Sequence, residues 1–194
     1  MYEPLDPMAR FAEIFAQVKK VVLPEPTAMT LATVSADGRP SARLVLLKEF
    51  DERGFVFYTN LESRKGRELA TNPHAALCFH WPPLEQQVRV EGRVEKVSEA
   101  EADVYFATRP RGAQIGAWAS KQSRILATRE ELETRVKVLE EKYAGREVPR
   151  PPFWSGFRVV PERIEFWQSR ASRLHDRTVY SRQNDGWIVD KLYP

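Results

Sequence analysis

Short β-rich runs, each ended by a turn signal, make up much of this chain and favour a sheet over a helical bundle. The runs 29–34 and 41–48 flank Asp37-Gly38, and Asp-Gly between two such runs is a strong hairpin signal. A second turn leads into a strand at 55–59. Further strands are predicted at 75–81, 87–97 and 156–168, with a C-terminal hairpin at 177–192.

Helices interrupt this succession of strands. Apolar residues at helical spacing predict a helix over 7–22, and Ser98 with Glu101 forms a capping-box pattern that opens a helix to about Thr108. Thr128 opens another helix, to about Tyr143. The pattern predicts a mainly β (α+β) fold, an antiparallel Greek-key-like barrel with peripheral helices.

The length suits a single domain with a real core. We expect residues 1–194 to form one unit. Its predicted parts are an N-terminal helix and linker at 1–26, barrel strands at 27–97, a helical insertion at 98–147 and C-terminal strands at 148–194.

Composition excludes several classes of protein. The chain is 42% hydrophobic and 29% charged, as is ordinary for a globular domain. Its one cysteine, Cys78, cannot form an intrachain disulfide and lies in an apolar run, so we expect a small buried apolar side chain. The lack of disulfides indicates a reducing compartment. No apolar run approaches the roughly 18 residues of a membrane span, and the first residues show no signal-peptide pattern. We therefore expect a cytoplasmic protein that does not enter a membrane.

The net charge of +3 is spread among acids instead of forming a basic tract. Local clusters occur near Arg64, Arg109 and Arg173. Such clusters suit small phosphate ligands better than a polyanion, so we expect no nucleic acid partner.

The segment after the strand at 55–59 has the pattern of a phosphate site. Ser63 can cap the following helix, and Arg64 and Lys65 occupy its first turn, where the helix dipole disfavours cations. A bound anion would remove this conflict, since exposed amides and two basic side chains then share one ligand. The alternative is a solvated pair of surface cations.

Two further groups of charged residues suggest polar ligands. Arg43 and Lys48 bracket an apolar strand and, being an odd number of residues apart, should point to opposite faces. On a strand Arg173, His175 and Arg177 would share one face, where an anion among them would relieve their repulsion. Strand-end charges and a solvated edge strand are the alternatives.

The stretch 105–123 mixes aromatic and hydrogen-bonding side chains, as a site for a planar heterocycle would, and equally as a packing corner between two helices would. The chain has no metal-ligand spacing, glycine-rich phosphate loop or hydrolase nucleophile motif. The residues alone leave the reaction open.

Five runs, in order along the chain, resemble the pyridoxine/pyridoxamine 5′-phosphate oxidase family. They are RLVLLK at 43–48, FYTNLESRKG at 57–66, QVRVEGRVEK at 87–96, RPRGAQIGAWAS at 109–120 and IEFWQSRASRLHDR at 164–177. The resemblance covers nearly the whole chain. It implies an FMN-binding split β-barrel that forms a homodimer with FMN at the interface.

The resemblance also implies the site residues. The FMN-binding set from one subunit would be Arg43, Leu44, Val45, Leu46, Leu47, Lys48, Tyr58, Thr59, Arg64, Lys65 and Gln87. The partner would contribute Gln122, Ser123, Trp167 and Arg177 to the same flavin. Substrate would be held by Lys48, Tyr105, Arg109, Arg173, Leu174 and His175, with Arg173 and His175 orienting the pyridine ring at the reacting centre.

The implied reaction is oxidation of pyridoxine or pyridoxamine 5′-phosphate by dioxygen to pyridoxal 5′-phosphate and hydrogen peroxide. Alternatives are a related FMN oxidase of the phenazine-pathway type and a non-catalytic carrier of FMN or pyridoxal phosphate. Two departures from the family pattern bear on substrate binding. Ala113 stands where the family commonly has a serine at the substrate phosphate, and Met1 to Pro7 offer no arginine to cover the substrate.

Overall fold

The computed structural model describes residues 6–21 and 23–194. Its helices are α1 Pro7–Val18, α2 Arg64–Thr71, α3 Glu99–Thr108, α4 Arg111–Ala119 and α5 Arg129–Lys142. Its strands are β1 Ala28–Val34, β2 Pro40–Leu46, β3 Glu49–Asp51, β4 Gly54–Asn60, β5 His74–Trp81, β6 Gln86–Lys96, β7 Trp154–Gln168, β8 Asp176–Gln183 and β9 Gly186–Lys191. Short 3₁₀ turns occur at Pro82–Leu84 and Ala171–Arg173.

The strands form one antiparallel sheet that curls on itself. Its order is β2-β1-β5-β6-β7-β4-β3, and β8 and β9 extend it from β7. Strands β2 and β3 lie at opposite edges although they are consecutive in the chain, so the sheet must curl to bring these edges together. The Lys48 amide, between β2 and β3, donates to the Val56 carbonyl of β4 at 2.9 Å and extends the β3–β4 pairing. The predicted barrel with peripheral helices is confirmed.

The hairpin turns follow the chemistry of their residues. Gly38 adopts φ 81° in the β1–β2 turn, a conformation that glycine takes without a steric penalty. At the β8–β9 turn Asn184 has φ 51°, which asparagine tolerates better than most residues. Both predicted hairpins are therefore present.

Aromatic side chains fill the barrel, and α1 covers them. Phe11 of α1 is fully buried and packs edge-on against Phe55, with ring centroids 4.8 Å apart. Phe79 and Trp81 of β5 lie in the same cluster. Burial of rings of this size is the main favourable contribution to such a core.

Strand β7 spans the molecule and connects its two ends. Its first half pairs with β4, from Trp154 opposite Asn60 to Val159 opposite Phe55. Its second half pairs with β8, from Arg163 opposite Ser181 to Gln168 opposite Asp176. Residues near either end of β7 therefore belong to different parts of the surface.

Two details differ from the sequence predictions. Helix α1 ends at Val18 and gives way to a turn, in which the Val21 amide donates to the Val18 carbonyl; Val22, the predicted last residue, lies outside the described residues. Strand β8 begins only at Asp176, so Arg173 and His175 are not on a strand face with Arg177. The chain turns there instead, because Ser172 and Arg173 adopt φ 57° and 61°.

None of the described helices has the length and apolar character needed to cross a membrane.

Candidate active site

A cleft of about 510 Å³ lies between the end of β4 and helices α3 and α4. Seven predicted site residues line it: Leu46, Lys48, Tyr58, Thr59, Tyr105, Arg109 and Gln122. Tyr105 lies on α3, Arg109 is the residue directly after that helix, and Ser98 caps the start of the helix with a complete capping box. The cleft thus brings together residues predicted for the cofactor and residues predicted for the substrate.

Three parallel aromatic rings form one wall of the cleft. Tyr58 stacks on Tyr105 with centroids 3.9 Å apart and on Trp154 with centroids 5.3 Å apart. Gly156 makes this possible, because a Cβ at that position would lie 2.7 Å from the Tyr58 ring. Burial raises the pKa of Tyr58 and of Tyr105, so both phenols stay neutral donors near neutral pH.

Arg109 is a half-buried cation with no acid beside it among the described residues. Its Nη1 is buried and has no hydrogen-bond partner, while its guanidinium lies 4.8 Å from the centre of the Trp154 ring. Burial lowers the pKa of Arg109, against the opposing effect of Tyr105. A desolvated guanidinium with unused donors, facing a cleft, favours an anionic ligand.

Lys65, in the first turn of α2, is a second cation of this kind. Its side chain is 8% exposed, and its Nζ donates only to hydroxyls, Thr59 Oγ1 at 3.3 Å and Ser63 Oγ at 3.5 Å. Ser63 also caps the helix by accepting from the Gly66 amide. Burial lowers the pKa of Lys65, and the charge of Arg43 lowers it further, against Glu68. The buried ammonium beside the helix N-terminus favours an anionic ligand.

Arg64 and Arg43 differ from Lys65 because Glu68 pairs with both. Glu68 Oε1 accepts from Arg64 Nε at 2.8 Å, and Oε2 lies 3.3 Å from Arg43 Nη2. Burial by itself would raise the pKa of Glu68, but hydrogen bonds from Thr33, Ser41 and Arg64 lower it to about 2. The predicted conflict between Arg64 and the helix dipole is thus relieved within the chain. Of Arg43, Arg64 and Lys65, Lys65 is the one without a carboxylate partner among the described residues.

A second set of predicted residues lies at the other end of β7. Gln87 pairs with Trp167, and Trp167 pairs with Arg177, so the three are neighbours across three strands. Arg177 donates to Glu165 through Nε at 2.8 Å and through Nη2 at 3.1 Å. Glu165 is 1% exposed. This pair holds the Arg177 side chain in one orientation on the sheet.

The predicted catalytic pair lies beside this second set, on the turn after β7. The His175 ring packs on Trp167 with centroids 4.5 Å apart, and its Nδ1 accepts from the Arg170 amide at 3.1 Å. In the neutral imidazole this bond places the proton on Nε2, which becomes a donor. Arg173 and Leu174 are exposed.

The two sets are far apart within one chain. Gly156, opposite Tyr58, and Trp167 are separated by about 36 Å of extended strand at about 3.3 Å per residue. Within one chain, the Thr59 hydroxyl donates to Gln122 at 3.2 Å, and Gln87 lies beside Trp167 and Arg177. The expected division of these residues between subunits stays a prediction.

Some predicted residues do not present their side chains to the cleft. Leu47 is buried in the core, Val45 packs against that core, and Leu44 is 71% exposed. Ser123 is exposed with φ 67°. Arg43 points instead to Glu68.

Sequence reasoning missed other residues of the site. Trp154, Asn60 and Ser120 line the cleft, and Glu68 and Glu165 pair with predicted arginines. Only Glu68 had a usable signal, since it follows Arg64 at the i,i+4 spacing of helical ion pairs.

A neighbouring hollow of about 660 Å³ is larger and shares Asn60 and Ser120 with the cleft. Its lining contains none of the predicted site residues. We assign the site to the smaller cleft because the desolvated Arg109 faces it.

Comparison with known proteins agrees with this assignment. The sequence profile described as "Pyridoxamine 5′-phosphate oxidase" matches residues 15–143, and one described as "Pyridoxine 5′-phosphate oxidase C-terminal dimerisation region" matches residues 154–194. A protein of Myxococcus xanthus named pyridoxine/pyridoxamine 5′-phosphate oxidase is 66% identical over 98% of this chain and 93% of its own length. One of the same name from Rubrobacter xylanophilus is 59% identical, over 97% and 87%.

Solved structures show the same fold. PhzG from Burkholderia lata, in complex with tetrahydrophenazine-1-carboxylic acid, superposes with a TM-score of 0.93 at 34% identity, covering 98% of this chain and 94% of its own. An FMN-binding protein of Nostoc punctiforme, described as pyridoxamine 5′-phosphate oxidase-related, superposes with a TM-score of 0.76 at 17% identity, covering 100% and 98%. The two matched profiles together span the barrel, the helices around the cleft and the strands that carry Trp167 and Arg177, so the chain belongs to the pyridoxamine 5′-phosphate oxidase family.

Proposed function

We propose that this protein is an FMN-dependent oxidoreductase that converts pyridoxine or pyridoxamine 5′-phosphate, with dioxygen, to pyridoxal 5′-phosphate and hydrogen peroxide. The observation that carries the proposal is the cleft itself. Residues predicted for the flavin and residues predicted for a phosphorylated substrate line one cavity, and the desolvated Arg109 faces it without an acid. We place the reaction in the cytoplasm, on the evidence of the sequence alone.

The residues present fit FMN. Lys65 is a buried ammonium bonded only to hydroxyls, and four of the five N–H donors of Arg64 have no partner among the described residues. Arg43, Arg64 and Lys65 against Glu68 leave a net charge of +2. A phosphate monoester carries about −1.5 to −2 at neutral pH and would balance this charge.

We further propose that each flavin site is completed by a second copy of the chain. One copy supplies Lys48, Thr59, Lys65 and Gln122 from the cleft end of β7. The other supplies Gln87, Trp167 and Arg177. The separation of these sets along β7 and the match of residues 154–194 to a dimerisation region support a homodimer with FMN at its interface. The first matched segment contains β4 and β6, and the second contains β7, with which both of these strands pair. The two segments therefore form one FMN-binding unit.

The side chains around the substrate bind and orient it. Lys48, Tyr105 and Arg109 hold its phosphate, with the neutral Tyr105 phenol as a donor. Arg173 and His175 from the partner lie against the pyridine ring, and Nε2–H of His175 is available as a donor. When bound, FMN would supply the redox chemistry between the substrate and dioxygen. The protein's contribution is orientation and charge, so no nucleophilic side chain is needed.

A second candidate is an FMN oxidase that acts on a phenazine precursor. It is favoured by the close superposition with PhzG, which was solved with a tetrahydrophenazine carboxylic acid. The curated relatives at higher identity favour the vitamin phosphate.

The test is aerobic oxidation of pyridoxamine 5′-phosphate by the purified protein with FMN, following pyridoxal phosphate absorbance and peroxide together. Equal formation of both products supports the proposal. A yellow protein that forms neither product at millimolar substrate would overturn the proposal and point to a phenazine-type oxidase or a carrier.

For variants of Arg109, Arg111→Gln serves as a matched control, since Arg111 bonds to the carbonyls of Tyr143 and Arg146 outside the cleft.

A further inference from the structure

Arg109 is held by aromatic rings instead of by a carboxylate. Its guanidinium carbon lies 4.8 Å from the centre of the Trp154 ring and 5.5 Å from that of Phe106. No hydrogen bond or ion pair joins its side chain to any residue in the described part of the chain, and Nη1 is buried. Its orientation therefore depends on ring contacts, of which the one with Trp154 is the shorter.

Trp154 is itself fixed at the start of β7. Its amide donates to the Pro151 carbonyl at 3.0 Å, and its carbonyl accepts from Arg150 Nη1 at 2.7 Å. Arg150 also bonds to Asp103 at 2.6 Å and to Glu99, both on α3. Arg150 thereby ties the strand that carries Trp154 to α3, the helix that directly precedes Arg109.

The Trp154 ring also lies within 9° of the plane of Tyr58 and within 3° of the plane of Tyr105. A guanidinium stacked on such a ring face directs its N–H edge sideways, away from the ring. Arg109 lines the cleft, so donors on that edge could reach an anion bound there.

We propose that Trp154 is a positioning residue for phosphate recognition: its ring face orients Arg109 toward the phosphate group of the substrate. This inference rests on the proposed function, which assigns that phosphate to Arg109. Loss of the ring leaves Arg109 in place but disordered, so its bond to phosphate weakens. A desolvated cation–π contact of this kind corresponds to about a ten-fold change in affinity.

A purely structural role for Trp154 would have different consequences. The side chain is 6% exposed and packs with Phe106, Ile115, Tyr143 and Val148. If it only filled this cluster, its loss would weaken phosphorylated and unphosphorylated ligands alike. Positioning of Arg109 affects only the ligand that has a phosphate.

The experiment compares binding of pyridoxal 5′-phosphate and pyridoxal to the FMN-loaded protein by absorbance titration. We expect Trp154→Leu to weaken pyridoxal 5′-phosphate about ten-fold and to leave pyridoxal unchanged, with a smaller effect for Trp154→Phe. Trp118→Leu is the matched control. Trp118 packs in the same cluster, but its ring lies against Tyr143 and Phe153, its Nε1 donates to the Pro149 carbonyl, and the cation over its ring is Lys142 instead of Arg109.

A double-mutant cycle supplies the second readout. In an Arg109→Gln background, Trp154→Leu should have no further effect on pyridoxal 5′-phosphate, since the group it positions is gone. Two results would each overturn the inference. One is that Trp154→Leu weakens pyridoxal 5′-phosphate and pyridoxal equally, so that the ratio of the two affinities is unchanged. The other is that its effect on pyridoxal 5′-phosphate is undiminished in the Arg109→Gln background. If Trp154→Leu does not fold, Trp154→Phe decides, and an unaltered ratio there also overturns it.

Failure of the proposed function gives a different pattern. A wild-type protein that does not oxidise pyridoxamine 5′-phosphate, yet shows the Trp154-dependent preference for the phosphorylated ligand, supports the positioning role and rejects the reaction. Suppose instead that the wild-type protein oxidises pyridoxamine 5′-phosphate, but the ratio of its affinities for pyridoxal 5′-phosphate and pyridoxal does not change when Trp154 is replaced. That result rejects the positioning role alone.

Discussion

Two sets of cations near the ends of strand β7 are held in opposite ways. At the C-terminal end Arg177, Arg89 and Arg163 converge on the buried Glu165, and Arg89 and Arg163 also contact Glu91. Near the N-terminal end Arg150 and Arg158 are paired with carboxylates, but Arg109, which lines the cleft, has ring contacts and no acid among the described residues. Lys65 bonds to the hydroxyls of Thr59 and Ser63 and to no carboxylate in the described part of the chain.

The difference separates cations that are already paired from cations that await an anion. A paired arginine keeps its orientation without a ligand, and its charge is largely compensated. A desolvated cation without a carboxylate raises the free energy of the empty site, and an anion removes that penalty when it binds. Substitutions at the two ends should therefore affect different quantities, stability at one and ligand affinity at the other.

The largest expected effect is on stability, at the paired end. Glu165→Gln leaves three arginines around a neutral amide and should lower the free energy of unfolding by about 4 kcal/mol, as when one partner of a buried ion pair is removed. Urea denaturation at pH 7 measures this, with Glu162→Gln as an exposed control on the same strand. A loss as small as that of the control would contradict the assignment of the paired end as a stability element.

The pH dependence of the same pair has a definite sign. Burial alone would raise the pKa of Glu165, but the hydrogen bond and charge of Arg177, with the charges of Arg89 and Arg163, lower it. Its stabilising effect is therefore present above the unfolded-state pKa of about 4.3 and is lost as the pH falls through the lower folded-state value. The difference between wild type and Glu165→Gln should shrink as the pH is lowered below about 4.

The next largest effect is on substrate affinity, at the unpaired end. Arg109→Gln removes the guanidinium but leaves a polar side chain, and should raise KM for pyridoxamine 5′-phosphate about a hundred-fold, or about 3 kcal/mol. Because no carboxylate loses its partner when Arg109 is replaced, the free energy of unfolding should stay the same or rise. Steady-state kinetics and denaturation of this variant and of Arg111→Gln measure both quantities. A large loss of stability in Arg109→Gln would contradict the distinction between paired cations that stabilise the fold and unpaired cations that bind a ligand.

A smaller effect is expected for the flavin. Lys65→Met keeps the length of the side chain and removes its charge, which should weaken FMN about thirty-fold while riboflavin binding stays the same. Titration of the flavin-free protein by fluorescence quenching gives both constants. Arg67→Met is the control, since Arg67 is on the same helix and bonds to the Glu62 carbonyl. An equal loss for FMN and riboflavin would remove Lys65 from the phosphate site.

The smallest effect concerns Ala113, which lines the cleft on the first turn of α4. A serine hydroxyl there would add one hydrogen bond to the substrate phosphate, so Ala113→Ser should lower KM by up to about ten-fold. Ala117→Ser, one turn further along the cleft wall, tests whether any added hydroxyl suffices. An unchanged or higher KM in Ala113→Ser would mean that Arg109 and its neighbours already satisfy the phosphate.

The fold was largely predictable from local signals. The Asp37-Gly38 turn, the Ser98 capping box and the alternation along β6 each act over a few residues, and all are present. The prediction that Arg173 and His175 share a strand face with Arg177 was wrong, because it extended strand periodicity into a turn whose positive φ values have no signal in the sequence. The predicted roles of the individual site residues stay predictions, and seven of those residues line one cleft.

By itself the sequence determined the strands, their turns, the helix caps and the family motifs, because each of these depends on residues close together in the chain. Only the tertiary structure decided which cations are paired. Glu165 meets Arg89, and Trp154 meets Arg109, through strand register and helix docking across long stretches of chain. The physical reason is that desolvation and pairing depend on distance in space, which no local pattern encodes.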